Sequence, residues 1–113
     1  MNAKNIILNK SFDFAIRIVN LYKYLCDEKK EYILSKQLLR SGTSIGANVN
    51  ESQAGQSKND FISKMSIASK EARESKYWIE LLIKTQYLDD REQYVSSLVD
   101  EIDEINKILT SIV

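Results

Sequence analysis

Hydrophobic residues recur along this chain at steps of three and four, the interval that aligns side chains on one face of an α-helix. In residues 11–29, Phe12, Ile16 and Val19 form one stripe, and Phe14, Ile18, Leu21 and Leu25 form another about 100–200° round the axis. Two stripes make a wider apolar arc than a single intramolecular seam requires, so this helix is expected to be central or shared with another subunit. The charged run Asp27-Glu28-Lys29-Lys30-Glu31 marks its end. A second helix is expected over residues 34–52. Ala54-Gly55-Gln56 breaks the pattern, and Ser57 with Asp60 three residues later is a capping signal that restarts it. The third helix then carries Phe61, Met65, Ala68, Ala72, Ile79 and Leu82 on one face. The fourth opens near Asp89-Asp90, whose charges suit a helix N-terminus. Its Leu98, Ile102, Ile105, Leu109 and Ile112 make a heptad-like seam, too short for a free coiled coil and suited to closing a bundle.

Short connectors near residues 29–33, 53–57 and 86–90 make successive helices antiparallel. The predicted fold is all-α: an antiparallel up-down-up-down four-helix bundle spanning residues 1–113 as one domain, with helices about 30 Å long. Composition agrees, since there is no proline and only three glycines, Gly42, Gly46 and Gly55. Gly42 and Gly46 share one face of the second helix and let another backbone approach. A phosphate-cradling loop does not fit them, because neither GxGxxG nor a Gly-Lys-Ser/Thr ending is present.

The chemistry available is narrow. The chain has no histidine, which removes the commonest general base, the usual partner of a serine or cysteine nucleophile, and the commonest metal ligand. The single Cys26 has no internal disulfide partner and reads as a small filler. Glu51 and Glu71 are the one conceivable carboxylate pair, and Arg40, Asn48 or a backbone N–H is expected to satisfy them rather than a metal. No enzyme activity, cofactor or metal is therefore expected. No apolar stretch is long enough to span a bilayer and no signal-peptide pattern opens the chain, so the expected location is the cytoplasm, away from membranes.

Net charge is zero but unevenly spread: residues 1–58 carry +4, residues 59–87 carry +1, and residues 88–113 carry −5. Opposite signs can help neighbouring helices choose each other, or they can make a dipolar particle with a basic surface for a polyanion. The first reading is favoured, because a neutral chain lacks the excess cation that counterion release rewards. Lys23, Lys29, Lys30 and Lys36 around the first connector are the nearest thing to a nucleic-acid contact. Six tyrosines and Trp78 could stack on unpaired bases. Tyr77 and Trp78 lie in an apolar run, however, which favours packing in a core or between subunits. A homo-oligomer interface is expected from Phe14, Ile18 and Leu21 on the first helix with Trp78 and Leu81 on the third.

The most distinctive stretch is residues 35–82. Arg40, Ser44, Asn48 and Glu51, at steps of four, four and three, make a polar stripe flanked by Leu38, Ile45 and Val49. With Glu71 they are expected to form a hydrogen-bonded structural network. The stretch resembles, through Gln37, Arg40, Ser44-Ile45, Asn48-Val49, Glu51, Ser57, Phe61, Ile67-Ala68, Glu71 and Tyr77-Trp78, the small four-helix-bundle proteins encoded in intervening sequences of bacterial large-subunit ribosomal RNA. The resemblance implies a ring-shaped homopentamer with no known catalytic activity. It also implies kinship with the accessory proteins of diversity-generating retroelements, basic pentameric barrels that bind a reverse transcriptase and nucleic acid. This chain departs from the family in having Ser52 where a glycine is usual, and in lacking the strong positive charge of the retroelement proteins.

Overall fold

The computed structural model describes residues 2–113 and contains four helices: α1 (Ala3–Asp27), α2 (Leu34–Ser52), α3 (Lys58–Lys84) and α4 (Gln93–Ile112). Each helix packs on two neighbours in the cyclic order α1, α2, α3, α4. Across the diagonal the backbones stay apart, and Lys4 of α1 reaches over the Phe61 ring of α3 at 4.5 Å. The result is an antiparallel four-helix bundle of 44 × 23 × 18 Å. Its length follows from the 27 residues of α3, which at 1.5 Å per residue span about 40 Å.

The helix ends show how local chemistry sets the boundaries. Asn2 accepts a hydrogen bond from the Asn5 amide at 3.1 Å and starts α1 well before the residue 11 expected from the apolar stripes. The added turns are held by Ile7, which is fully buried. Between α1 and α2 the chain reverses through Lys30 at φ 56°, a left-handed conformation. Glu31, buried to 5% exposure, then turns its carboxylate onto the open amides of α2, accepting from Ile33 at 2.7 Å and from Leu34 and Ser35. A carboxylate there suits both the unpaired N–H groups and the helix dipole. Ser57 caps α3 as its spacing predicts, its Oγ accepting from the Asp60 amide at 3.1 Å. The fourth helix begins at Gln93, later than expected. Asp89 is drawn instead into a local bridge with Arg91, and the chain leaves α3 through Gln86 at φ 70°.

The core is built from the predicted faces of α3 and α4: Met65, Ala68, Ala72, Ile79 and Leu82 meet Leu98, Ile102, Ile105 and Leu109, all with no exposed surface. α2 is the closely packed helix. A Cβ on Gly42 would lie 2.8 Å from Ile18 Cγ1, and one on Gly46 would lie 3.2 Å from the Ser11 carbonyl oxygen. On its other side, Ser75 donates to Ser41 Oγ at 3.0 Å while both are buried. Small residues on both sides of α2 therefore let it approach α1 and α3 together.

One expectation is corrected here. Phe14, Ile18 and Leu21 are buried to 1% exposure or less within this chain, so they are not available to another subunit. Of the two stripes on α1, the one through Phe14 and Ile18 fills the bundle core. The other, Phe12, Ile16 and Val19, faces outward at 66, 47 and 37% exposure.

Candidate functional site

Two surfaces stand out, one on each side of α2. On the α3 side, Arg40 Nη1 donates to Glu71 Oε2 at 3.1 Å, and Arg40 Nη2 contacts Glu74. The Trp78 indole N–H donates to the same Glu74 carboxylate at 3.2 Å, and Tyr77 meets Trp78 edge-on with ring centres 5.1 Å apart. Glu71 is 9% exposed, whereas the Arg40 side chain is about half exposed, so the pair straddles the boundary between core and solvent.

The polar stripe of α2 is only partly a network. Ser44 Oγ donates to the Arg40 carbonyl at 2.6 Å and Asn48 Nδ2 donates to the Ser44 carbonyl at 2.8 Å, so both are satisfied along their own helix. Glu51 is exposed and makes no side-chain hydrogen bond or ion pair among the described residues, which corrects its assignment to the network. Glu74 and Trp78 take the places that Asn48 and Glu51 were expected to fill. Their signal was present in the sequence: Glu71, Glu74, Trp78 and Leu81 follow one another at steps of three, four and three. Trp78 and Leu81 remain half-buried at this edge.

On the α1 side of α2, Leu8, Phe12 and Ala15 face Thr43, Gly46 and Ala47 across a groove of about 480 Å³. No ion pair crosses it among the described residues. The faces flanking α4 differ in this respect. Lys10 pairs with Glu104, Arg17 with Glu101 at 3.0 Å, and Lys76 with Asp103 at 2.6 Å. Hydrogen bonds donated to their carboxylate partners raise Lys10 and Lys76 above the ordinary lysine value. Arg17 also lies 5.0 Å from the Tyr94 ring centre and donates to the Tyr94 carbonyl at 2.8 Å. The acidity of α4 is thus largely spent on docking it to α1 and α3.

The predicted basic cluster lies at one end of the bundle. Lys23, Lys29, Lys30 and Lys36 are all exposed. Lys30 Nζ donates to the Asp27 carbonyl at 2.8 Å and the Lys29 ammonium sits 6.0 Å from the Tyr24 ring centre. The same end holds a cavity of about 350 Å³ whose walls include Tyr24, Lys29, Tyr87 and Tyr94, but also Asp89 and Glu92. Cys26 is half-buried with its sulfur 3.9 Å from Ser35 Oγ. Among the described residues no three His, Cys, Asp or Glu side chains gather where a metal could bind, and no helix is long and apolar enough to cross a membrane.

The chain is similar over nearly its whole length to a protein solved by crystallography from Bacteroides thetaiotaomicron VPI-5482, described as of unknown function and from the S23 ribosomal protein family. The two are 56% identical, the match covers 98% of this chain and 97% of that one, and the TM-score is 0.92. No curated protein matches significantly. Residues 3–111 match the family model described as 23S rRNA-intervening sequence protein, and the chain belongs to that family.

Proposed function

We propose that this protein is a non-catalytic, homo-oligomeric interaction protein of the cytoplasm, and that its copies close into a ring, five by the family resemblance. The observation that carries the reading is the stripe of Phe12, Ile16 and Val19, exposed on α1 beside a largely apolar groove whose one charged wall residue is Asp13. Single exposed apolar residues are ordinary, whereas three at helical spacing beside an apolar groove make a continuous patch of the kind buried between subunits. Light scattering at micromolar concentration tests this. A mass several times the 13.0 kDa of one chain is expected, and Phe12→Asp with Ile16→Asp should reduce it to that of a monomer that still melts cooperatively. A monomeric mass for the unaltered protein would sink the proposal.

A second reading is an accessory protein for RNA or a reverse transcriptase. It draws support from the exposed Lys23, Lys29, Lys30 and Lys36 beside the exposed rings of Tyr24 and Tyr32. Cations beside aromatic rings are the usual equipment for unpaired nucleic acid. The nearby Asp89, Asp90 and Glu92 weigh against it.

A further inference from the structure

The packing around α2 fixes the relative height of α1 and α3, and that height exposes a match between their outer charges. Gly42 lies against Ile18 on one side of α2, while Ser41 bonds to Ser75 on the other. Ile18 and Ser75 therefore stand at the same level, 57 residues apart in the chain. α1 and α3 run parallel in an up-down-up-down bundle and rise equally per residue, so the offset holds along both helices. At that offset Asp13 corresponds to Lys70, Lys23 to Glu80, and Asp27 to Lys84. All six side chains belong to exposed residues, and every correspondence joins opposite signs. Within one chain these pairs do not form: α1 and α3 occupy diagonal corners without close backbone approach, and the side-chain contact between them, Lys4 over the Phe61 ring, involves none of the six. Among the described residues, Asp13, Lys23, Asp27, Lys70 and Lys84 have no ion-pair partner, and Glu80 has only a long contact of 3.9 Å to Lys76.

We propose that the subunit contact is heterologous and parallel: the outer face of α1 in one copy packs against the outer face of α3 in the next, at equal height. This rests on the oligomeric reading above and names its interface. Rotation about an axis parallel to the bundle leaves heights unchanged, so Asp13, Lys23 and Asp27 of one copy meet Lys70, Glu80 and Lys84 of the next. The apolar contact lies between them, Phe12, Ile16 and Val19 of one copy against Ile67 and Tyr77 of the next, which are 40 and 59% exposed. The groove beside Phe12 and the half-buried Trp78 both lie on the α2 side of their helices. Closure therefore turns α2 toward the axis and leaves acidic α4 on the outer wall. An isologous dimer would place α1 against α1 and use none of these correspondences.

Charge reversal at exposed positions tests the contact without disturbing the core. Lys23→Glu and Glu80→Lys should each weaken association on the order of tenfold, since each puts like charges opposite one another. The double variant, Lys23→Glu with Glu80→Lys, should regain the association of the unaltered protein, read by light scattering over a dilution series. Circular dichroism should be the same for all four. If the unaltered protein is oligomeric and either single reversal leaves association unchanged, or if the double fails to regain it, the proposed interface is wrong while the oligomeric reading stands. A monomeric unaltered protein would overturn both.

Discussion

Gly42 shows how tightly single positions are set. Placing alanine in a helix interior normally gains up to about 1 kcal/mol over glycine. Here the added Cβ would meet two γ carbons of Ile18 at 2.8 and 2.9 Å, and Ile18 has no exposed surface into which to move. Overpacking of this kind costs roughly 1–3 kcal/mol, so Gly42→Ala should lower the denaturant midpoint despite its better helix propensity. A variant as stable as the parent would show that α1 and α2 can separate slightly without loss. Arg40 and Glu51 make a matched pair of tests on the same helix. Arg40→Ala strips a partner from the mostly buried Glu71, and a destabilisation of about 1–2 kcal/mol is expected, moderated because half of the Arg40 side chain is already in water. Glu51→Ala removes an exposed side chain that touches nothing charged and should stay within about 0.5 kcal/mol. Equal thermal melts for the two variants would refute the structural role of the Arg40–Glu71 pair.

The helix termini and connectors carry their own electrostatics. Asp89 accepts hydrogen bonds from the Arg91 side chain at 2.8 and 3.0 Å and from its amide at 3.0 Å. These bonds, the side-chain ones foremost, lower its carboxyl from the ordinary 3.8 to about 2. Because the folded value is the lower one, the stabilisation is complete above about pH 4 and is lost as the pH falls toward 2. Both groups are solvent-facing, so the effect on global stability is small and the direct observable is the Asp89 carboxyl titration by NMR. Its midpoint should lie near 2 and return toward 3.8 in Arg91→Ala. A parent midpoint already at the ordinary value would mean that the bridge does not persist in solution. The same connector explains the late start of α4: Asp89 is occupied locally and serves the 85–92 turn rather than the helix dipole.

At the level of the whole molecule, charge decides how the bundle closes and what it can meet. Three of the seven acids in residues 88–113, Glu101, Asp103 and Glu104, pair with cations of α1 and α3, so opposite signs meet where α4 docks. Exposed Lys29, Lys30 and Lys36 gather at one end of the bundle. Repetition around a ring would multiply weak contacts there, and any RNA binding should be electrostatic and steeply salt-dependent. Replacing Lys29, Lys30 and Lys36 with glutamate should abolish RNA retention seen at low salt and leave the oligomer intact. Retention that survives the triple change, or that is indifferent to salt, would exclude this end as the contact.

The apolar periodicity alone determined that the chain is a four-helix bundle, because steps of three and four can bury a continuous face only on helices, and short connectors force neighbours to be antiparallel. The core faces of α3 and α4 and the Ser57 cap were equally legible, since each depends on residues close in sequence. What periodicity could not decide was which of two apolar stripes on α1 turns inward. Gly42 and Gly46 decided it by allowing α2 to seat against Ile18 and Ser11, a choice between distant segments that leaves Phe14 in the core and Phe12 outside. The partner of Arg40 was likewise a tertiary matter. Spacing places Ser44, Asn48 and Glu51 on its helix face, but a guanidinium reaches across a groove as readily as along a helix, and only the packing of α2 on α3 brings Glu71 and Glu74 within its range.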